Sequence, residues 1–140
     1  MHENFFHNVK VYYEDTDAGG VVYYANYLKY LERARTEALS TIGLSNLQIK
    51  DKFGAQIIVK SCNIEYKKPA KLEDELKIRS FIKSVTKTSF YMNQIITNNE
   101  ITFVEAQVHL VFVNTDGKPV KIPDEIYSKF KPYFCDSIKL

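Results

Sequence analysis

Tryptophan is absent from the 140 residues, and there are only two cysteines, four prolines and five glycines. No repeat, low-complexity segment or linker interrupts the chain, and its length is too short for two comfortable cores. Cys62 and Cys135 lie far apart and form no C-x-x-C pair, so two reduced thiols are expected. Net charge is also missing. Nineteen Lys and Arg against seventeen Asp and Glu leave +2, and the lysines are scattered, which argues against a nucleic-acid partner. The first residues, MHENFFHNVKV, hold no apolar run long enough for a signal peptide or a membrane span, so the expected location is the cytoplasm. His2, His7 and His109 show no ligand spacing, and neither a metal nor a cofactor is expected.

What is present is an ordinary soluble balance, 45% hydrophobic and 26% charged, with a high aromatic share of 14% carried by Tyr and Phe. Such a share points to apolar cores or interfaces. Phe5 to Glu14 reads as a strand. From Asn26 to about Ile42 the pattern is helical, with Tyr27, Leu31, Ala34, Ala38 and Ile42 on one stripe. Asn26 is the expected N-cap and Gly43 the expected stop. After Gly54 the period becomes that of strands: Ala55 to Tyr66, Leu76 to Val85, Ser89 to Thr97 and Ile101 to Asn114. Leu76, Ile78, Ser80 and Ile82 face away from Lys77, Arg79 and Lys83; Val104, Ala106, Val108, Leu110 and Phe112 share a face. Asn98-Asn99 and Asp116-Gly117 read as turns, and Pro123 as the first residue of a short helix ending at Phe130. One long helix and about five strands joined by short loops make an α+β domain with an antiparallel sheet. One helix covers only part of such a sheet, so a homo-oligomer is expected to bury the rest.

The chemistry concentrates in VYYEDTDAGGVVYYANYLKYLERAR, Val11 to Arg35. An aromatic strand leads into a glycine-containing turn with acids, and the turn leads into the long helix. Asp17 thus stands just ahead of a helix N-terminus, where backbone N–H groups are unpaired and the dipole is positive. A carboxylate beside such donors can attack, or activate water against, a carbonyl that the donors polarise. Gly19 and Gly20 are expected to supply positive φ and close approach of backbone to ligand. Asp15 and Glu14 read as structural.

The run YEDTDAGGVVYYANYLKYLERARTEAL resembles the hotdog-fold acyl-CoA thioesterases of the 4-hydroxybenzoyl-CoA thioesterase type, and among these the bacterial Tol-Pal-associated branch. IEYKKPAKLEDEL and VHLVFVNTDGKPVKIPDEI extend the likeness over nearly the whole chain. The resemblance implies a single hotdog domain over residues 1–140, a curved sheet around a central helix. It implies dimers, often paired into tetramers, with active sites between subunits. It makes Asp17 the catalytic carboxylate and the amide near Tyr24 the carbonyl-polarising donor. Gly19, Gly20, Val21, Val22, Tyr23 and Asn26 would line the substrate site. Two departures stand out. Many Tol-Pal-branch members carry His where this chain has Tyr24, although the hydroxybenzoyl type carries Tyr there. Glu73 stands where relatives commonly place Gly before Asp74.

A thioester suits so small a catalytic set. If its leaving thiol resembles free cysteine, with a pKa of roughly 8.5, it departs near neutral pH with little help from an acid. The expected substrate is an acyl-CoA, with acyl carrier protein as a possible partner. Lys67, Lys68, Arg79, Lys83 and Lys87 are candidates to meet coenzyme A phosphates. A competing reading has Asp15-x-Asp17 holding a divalent cation for a sugar-nucleotide transferase, but the chain is too short for a nucleotide-binding domain. A second competitor is a non-catalytic acyl-binding module on the same fold.

Overall fold

The computed structural model describes residues 2–135. Strand β1 (Phe5–Lys10) is followed by a 3-10 turn (Tyr13–Asp15), helix α1 (Tyr24–Thr41) and helix α2 (Asn46–Phe53). Strands β2 (Gln56–Tyr66), β3 (Glu75–Val85), β4 (Ser89–Asn98) and β5 (Ile101–Val113) come next, then helix α3 (Asp124–Phe130) and a last 3-10 turn (Lys131–Tyr133). The five strands form one sheet in the order β1-β3-β4-β5-β2, with every neighbouring pair antiparallel.

Alternation decides which face of the sheet meets α1. Leu76, Ile78, Ser80 and Ile82 of β3 are buried, while Lys77 and Lys83 are exposed. Val104, Ala106, Val108, Leu110 and Phe112 of β5 are all buried. Register shifts between Val59 and Ser61, Ile82 and Ser84, and Ile96 and Thr97 interrupt the ladders, and such irregularities add local bend and twist to a strand. Helix α1 lays Tyr27, Tyr30, Leu31, Ala34, Ala38 and Leu39 against this face. The core has two apolar clusters, one around Tyr27, Leu31 and Ala34 and one around Ala38, Leu39 and α3.

A polar knot joins the two clusters. Ser80 lies between Ile78 and Ile82 on β3, Gln94 between Met92 and Ile96 on β4, and Arg35 between Ala34 and Ala38 on α1. The fully buried Gln94 donates from Nε2 to Leu31 O and to Ser80 Oγ, each at 3.1 Å, and accepts from Arg35 Nη1 at 3.0 Å. Both ends of its amide are thus satisfied, as a buried polar group requires.

Several boundaries differ from those read in the sequence. Strand β1 stops at Lys10, because the chain turns into Tyr13–Asp15 rather than continuing to Glu14. Helix α1 starts at Tyr24, and its N-cap is Tyr23, not Asn26. Asn26 is inside the first turn, where its Nδ2 donates to Asp15 O at 2.9 Å. Pro123 precedes α3 as its N-cap instead of opening it. Helix α2 is an addition. Ser45 Oγ accepts from Gln48 N at 3.1 Å to cap it, and Gly54 ends it at φ 62°. Lys52 of α2 pairs with Glu125 of α3 at 2.5 Å.

Candidate active site

The segment before α1 is a small hairpin. Thr16 bridges Val22, and Asp17 N donates to Val21 O at 2.9 Å. The turn closes when Gly20 N donates to Asp17 O at 3.0 Å. Gly20 takes φ +79°, a conformation that favours glycine. Gly19 does not have positive φ, which corrects the expectation for that residue. Its requirement is space: a Cβ there would sit 3.2 Å from Asp17 Oδ1. Gly19 N instead donates to that same oxygen at 2.8 Å.

The hairpin is tied to the helix start. Tyr23 N donates to Asp15 O at 2.9 Å, and Asn26 Nδ2 meets the same carbonyl. Asp15 in turn accepts from Tyr12 N through Oδ2 at 2.9 Å. Val22 is buried, its N–H bonded to Ala70 O at 2.8 Å, while Val21 bridges Lys71. Tyr27 reaches the same loop, accepting from Ala70 N at 2.9 Å. Asp15, Asn26, Val22 and Tyr27 are therefore the frame that fixes the turn relative to α1.

Asp17 and the helix start remain open within this frame. Asp17 is exposed, with Oδ1 held by Gly19 and Oδ2 unbonded among the described residues. Among the described residues no side chain caps α1. Asn26 N is used by Tyr23 O at 2.8 Å, whereas the N–H groups of Tyr24 and Ala25 meet no acceptor among the described residues. The open backbone donors at the helix start are thus those of Tyr24 and Ala25. The rings of Tyr23 and Tyr24 are 4.8 Å apart, and Tyr66 from the end of β2 meets Tyr24 edge-on at 5.9 Å. These half-exposed rings form an aromatic wall beside the open amides. The neighbouring Tyr24 hydroxyl raises the pKa of Tyr23.

Tyr30 lies beneath the hairpin, buried in the core as its place among the clustered tyrosines Tyr12 to Tyr30 leads one to expect. Its hydroxyl is fully buried beside Asp15 without meeting hydrogen-bond geometry. Burial, then the nearby Asp15 carboxyl, push its pKa well above that of a free tyrosine. Of the proposed phosphate contacts, Lys67 is engaged by Glu105 at 3.3 Å and Glu65 at 4.0 Å. His109 lies on the outer sheet face, stacked on Tyr91 at 4.0 Å; burial of the ring, then Lys60, lower its pKa.

A five-stranded antiparallel sheet packed on one long helix, in the order β1-β3-β4-β5-β2, defines a hotdog-fold protein. Comparison with known proteins agrees. The chain belongs to the thioesterase-like superfamily, whose family model matches residues 11–130. It is 43% identical over 125 residues to the acyl-CoA thioester hydrolase YbgC of Escherichia coli, covering 88% of this chain and 92% of that one. It is 37% identical over 123 residues to the acyl-CoA thioesterase YbgC of Haemophilus influenzae, covering 87% and 90%. A probable thioesterase from Bartonella henselae superposes with a TM-score of 0.83 at 31% identity, over 86% of this chain and all of that one.

Proposed function

We propose that the chain hydrolyses acyl-CoA thioesters to a free acid and coenzyme A. The observation that carries this reading is the pairing of a held, half-free carboxylate at Asp17 with open amides at Tyr24 and Ala25. Gly19 fixes Oδ1, so Oδ2 is the oxygen available to the substrate. The thioester carbonyl accepts from the helix-start amides, which draw charge toward its oxygen. Oδ2 then acts in one of two ways. It attacks the carbonyl carbon, breaking the C–S bond to give an Asp17 anhydride and a thiolate, and water later cleaves the anhydride. Alternatively it takes a proton from water, whose hydroxide attacks and expels the same thiolate. The relatives' names, which specify acyl-CoA, support this substrate class.

Assembly belongs to the same reading. Strand β2 is an edge strand, and Ile58, Val59 and Tyr66 on it are 44%, 49% and 45% exposed. Such an edge invites pairing with a second copy, and a homodimer joined there would bring another subunit near Tyr24 through Tyr66. Pairing of two dimers gives the proposed homotetramer. Among the described residues no helix is long and apolar enough to cross a membrane. A cytoplasmic role in lipid metabolism, with acyl carrier protein as a partner, completes the proposal.

The test is thiol release from a panel of short, medium, long and aromatic acyl-CoAs by the purified protein. Turnover of one or more is the expected result. No turnover of any acyl-CoA, and none of an acyl carrier protein thioester, by a folded oligomer would instead support a binding module.

A further inference from the structure

A helix start with unpaired amides is a natural seat for an aspartate carboxylate, which caps such donors and complements the dipole. Asp17 precedes α1 closely in the chain, and its Oδ2 is unbonded among the described residues. Even so, the N–H groups of Tyr24 and Ala25 stay open. A carboxylate that capped these amides would close the space a carbonyl needs between them. The bonds that hold hairpin and helix apart therefore bear on the reaction.

Those bonds meet at the carbonyl of Asp15. It accepts from Tyr23 N at 2.9 Å and from Asn26 Nδ2 at 2.9 Å. The two donors differ in what they tie. Tyr23 is the residue before α1, so its bond fixes only the entry to the helix. Asn26 is inside the first turn, its own N–H closing on Tyr23 O at 2.8 Å. Its side chain thus carries a bond from within α1 to the hairpin, across the turn that presents Tyr24 and Ala25. Asp15 is a firm anchor for it, since Oδ2 accepts from Tyr12 N at 2.9 Å. On the far side of Asp15, the Thr16 to Val22 bridge and the Asp17 N to Val21 O bond transmit the same position to the carboxylate.

We propose that Asn26 is a positioning residue for the hydrolysis. Acting through Asp15, it holds the first turn of α1 at the separation from Asp17 that admits a thioester carbonyl between carboxylate and amides. The inference rests on the proposed thioesterase reading and adds to it a residue whose amide serves the helix, not the substrate.

Asn26→Ala removes the side-chain donor and leaves Tyr23 N on Asp15 O. On the best acyl-CoA of the panel, kcat is expected to fall about tenfold, because displacement of reacting groups by about 1 Å costs up to about 100-fold. KM should stay within about twofold, as expected when ground-state binding is untouched, with oligomeric mass and melting temperature preserved. Asn26→Ser keeps a donor of shorter reach and should recover part of the loss, to within about threefold of the unsubstituted kcat. Full kcat in folded Asn26→Ala overturns the proposal. So does a raised KM at unchanged kcat, because Asn26 would then contact substrate, and so does a serine variant no better than alanine. Should Asn26→Ala fail to fold, the same split of kcat and KM in Asn26→Ser decides. Absence of turnover by the unsubstituted protein overturns the thioesterase reading itself, whereas turnover that ignores Asn26 overturns the positioning role alone.

Discussion

An alanine at position 19 would bring its Cβ to 3.2 Å from Asp17 Oδ1, close enough that the carboxylate must move. If that carboxylate is the reacting group, Gly19→Ala should lower kcat by about tenfold or more, with little change in the melting temperature. A fall in melting temperature with kcat preserved would show that the turn matters for folding alone. Glu73 offers the converse case. Glu73 adopts φ 68°, a left-handed conformation that glycine takes without strain. A left-handed residue with a Cβ costs roughly 1–2 kcal/mol, and the added chain entropy of glycine offsets roughly 0.5–1 kcal/mol. Glu73→Gly should therefore gain about 0.5 kcal/mol in urea unfolding; a loss would mean that the Glu73 side chain makes a stabilising contact of its own.

The elements were legible where periodicity is strong and blurred where a tertiary bond takes over. The stripe of α1 and the faces of β3 and β5 follow from spacing, because one face of each is buried along its length. The start of α1 did not, since Asn26 is a good N-cap by type yet its side chain is drawn to Asp15 O across the hairpin. Helix α2 went unseen because only Ile49 of its eight residues is buried, leaving almost no stripe. Its Ser45 cap and Gly54 stop were the remaining signals. In the candidate site, Asp17 and the helix start were readable as a local run. The narrowing of the donors to Tyr24 and Ala25 was not, because it depends on which amides Asp15 and Tyr23 consume. The knot of Arg35, Gln94 and Ser80 was likewise invisible, as it joins α1, β3 and β4 only after folding. Gln94→Ala would strip partners from Leu31 O, Ser80 and Arg35 together. It should cost about 3 kcal/mol in urea unfolding, and a cost below about 1 kcal/mol would show that water replaces the amide.

The whole molecule is shaped by what one helix leaves uncovered. Strand β2 at the sheet edge leaves Ile58, Val59 and Tyr66 exposed, and the edge lies next to the aromatic wall of the candidate site through Tyr66. Ile58→Asp places a charge on that edge and should reduce the mass measured by light scattering to that of one chain, with activity falling in parallel. An unchanged mass would move the proposed interface elsewhere. The central claim is narrower: that the free oxygen of Asp17 does the chemistry. Replacing Asp17 by Asn keeps its shape and removes the charge. The decisive measurement is kcat/KM of Asp17→Asn on the best acyl-CoA of the panel, with its oligomeric mass checked alongside. A loss of about 100-fold or more from an oligomer of unchanged mass is the expected result. Retention of full turnover by a folded Asp17→Asn oligomer would contradict the mechanism.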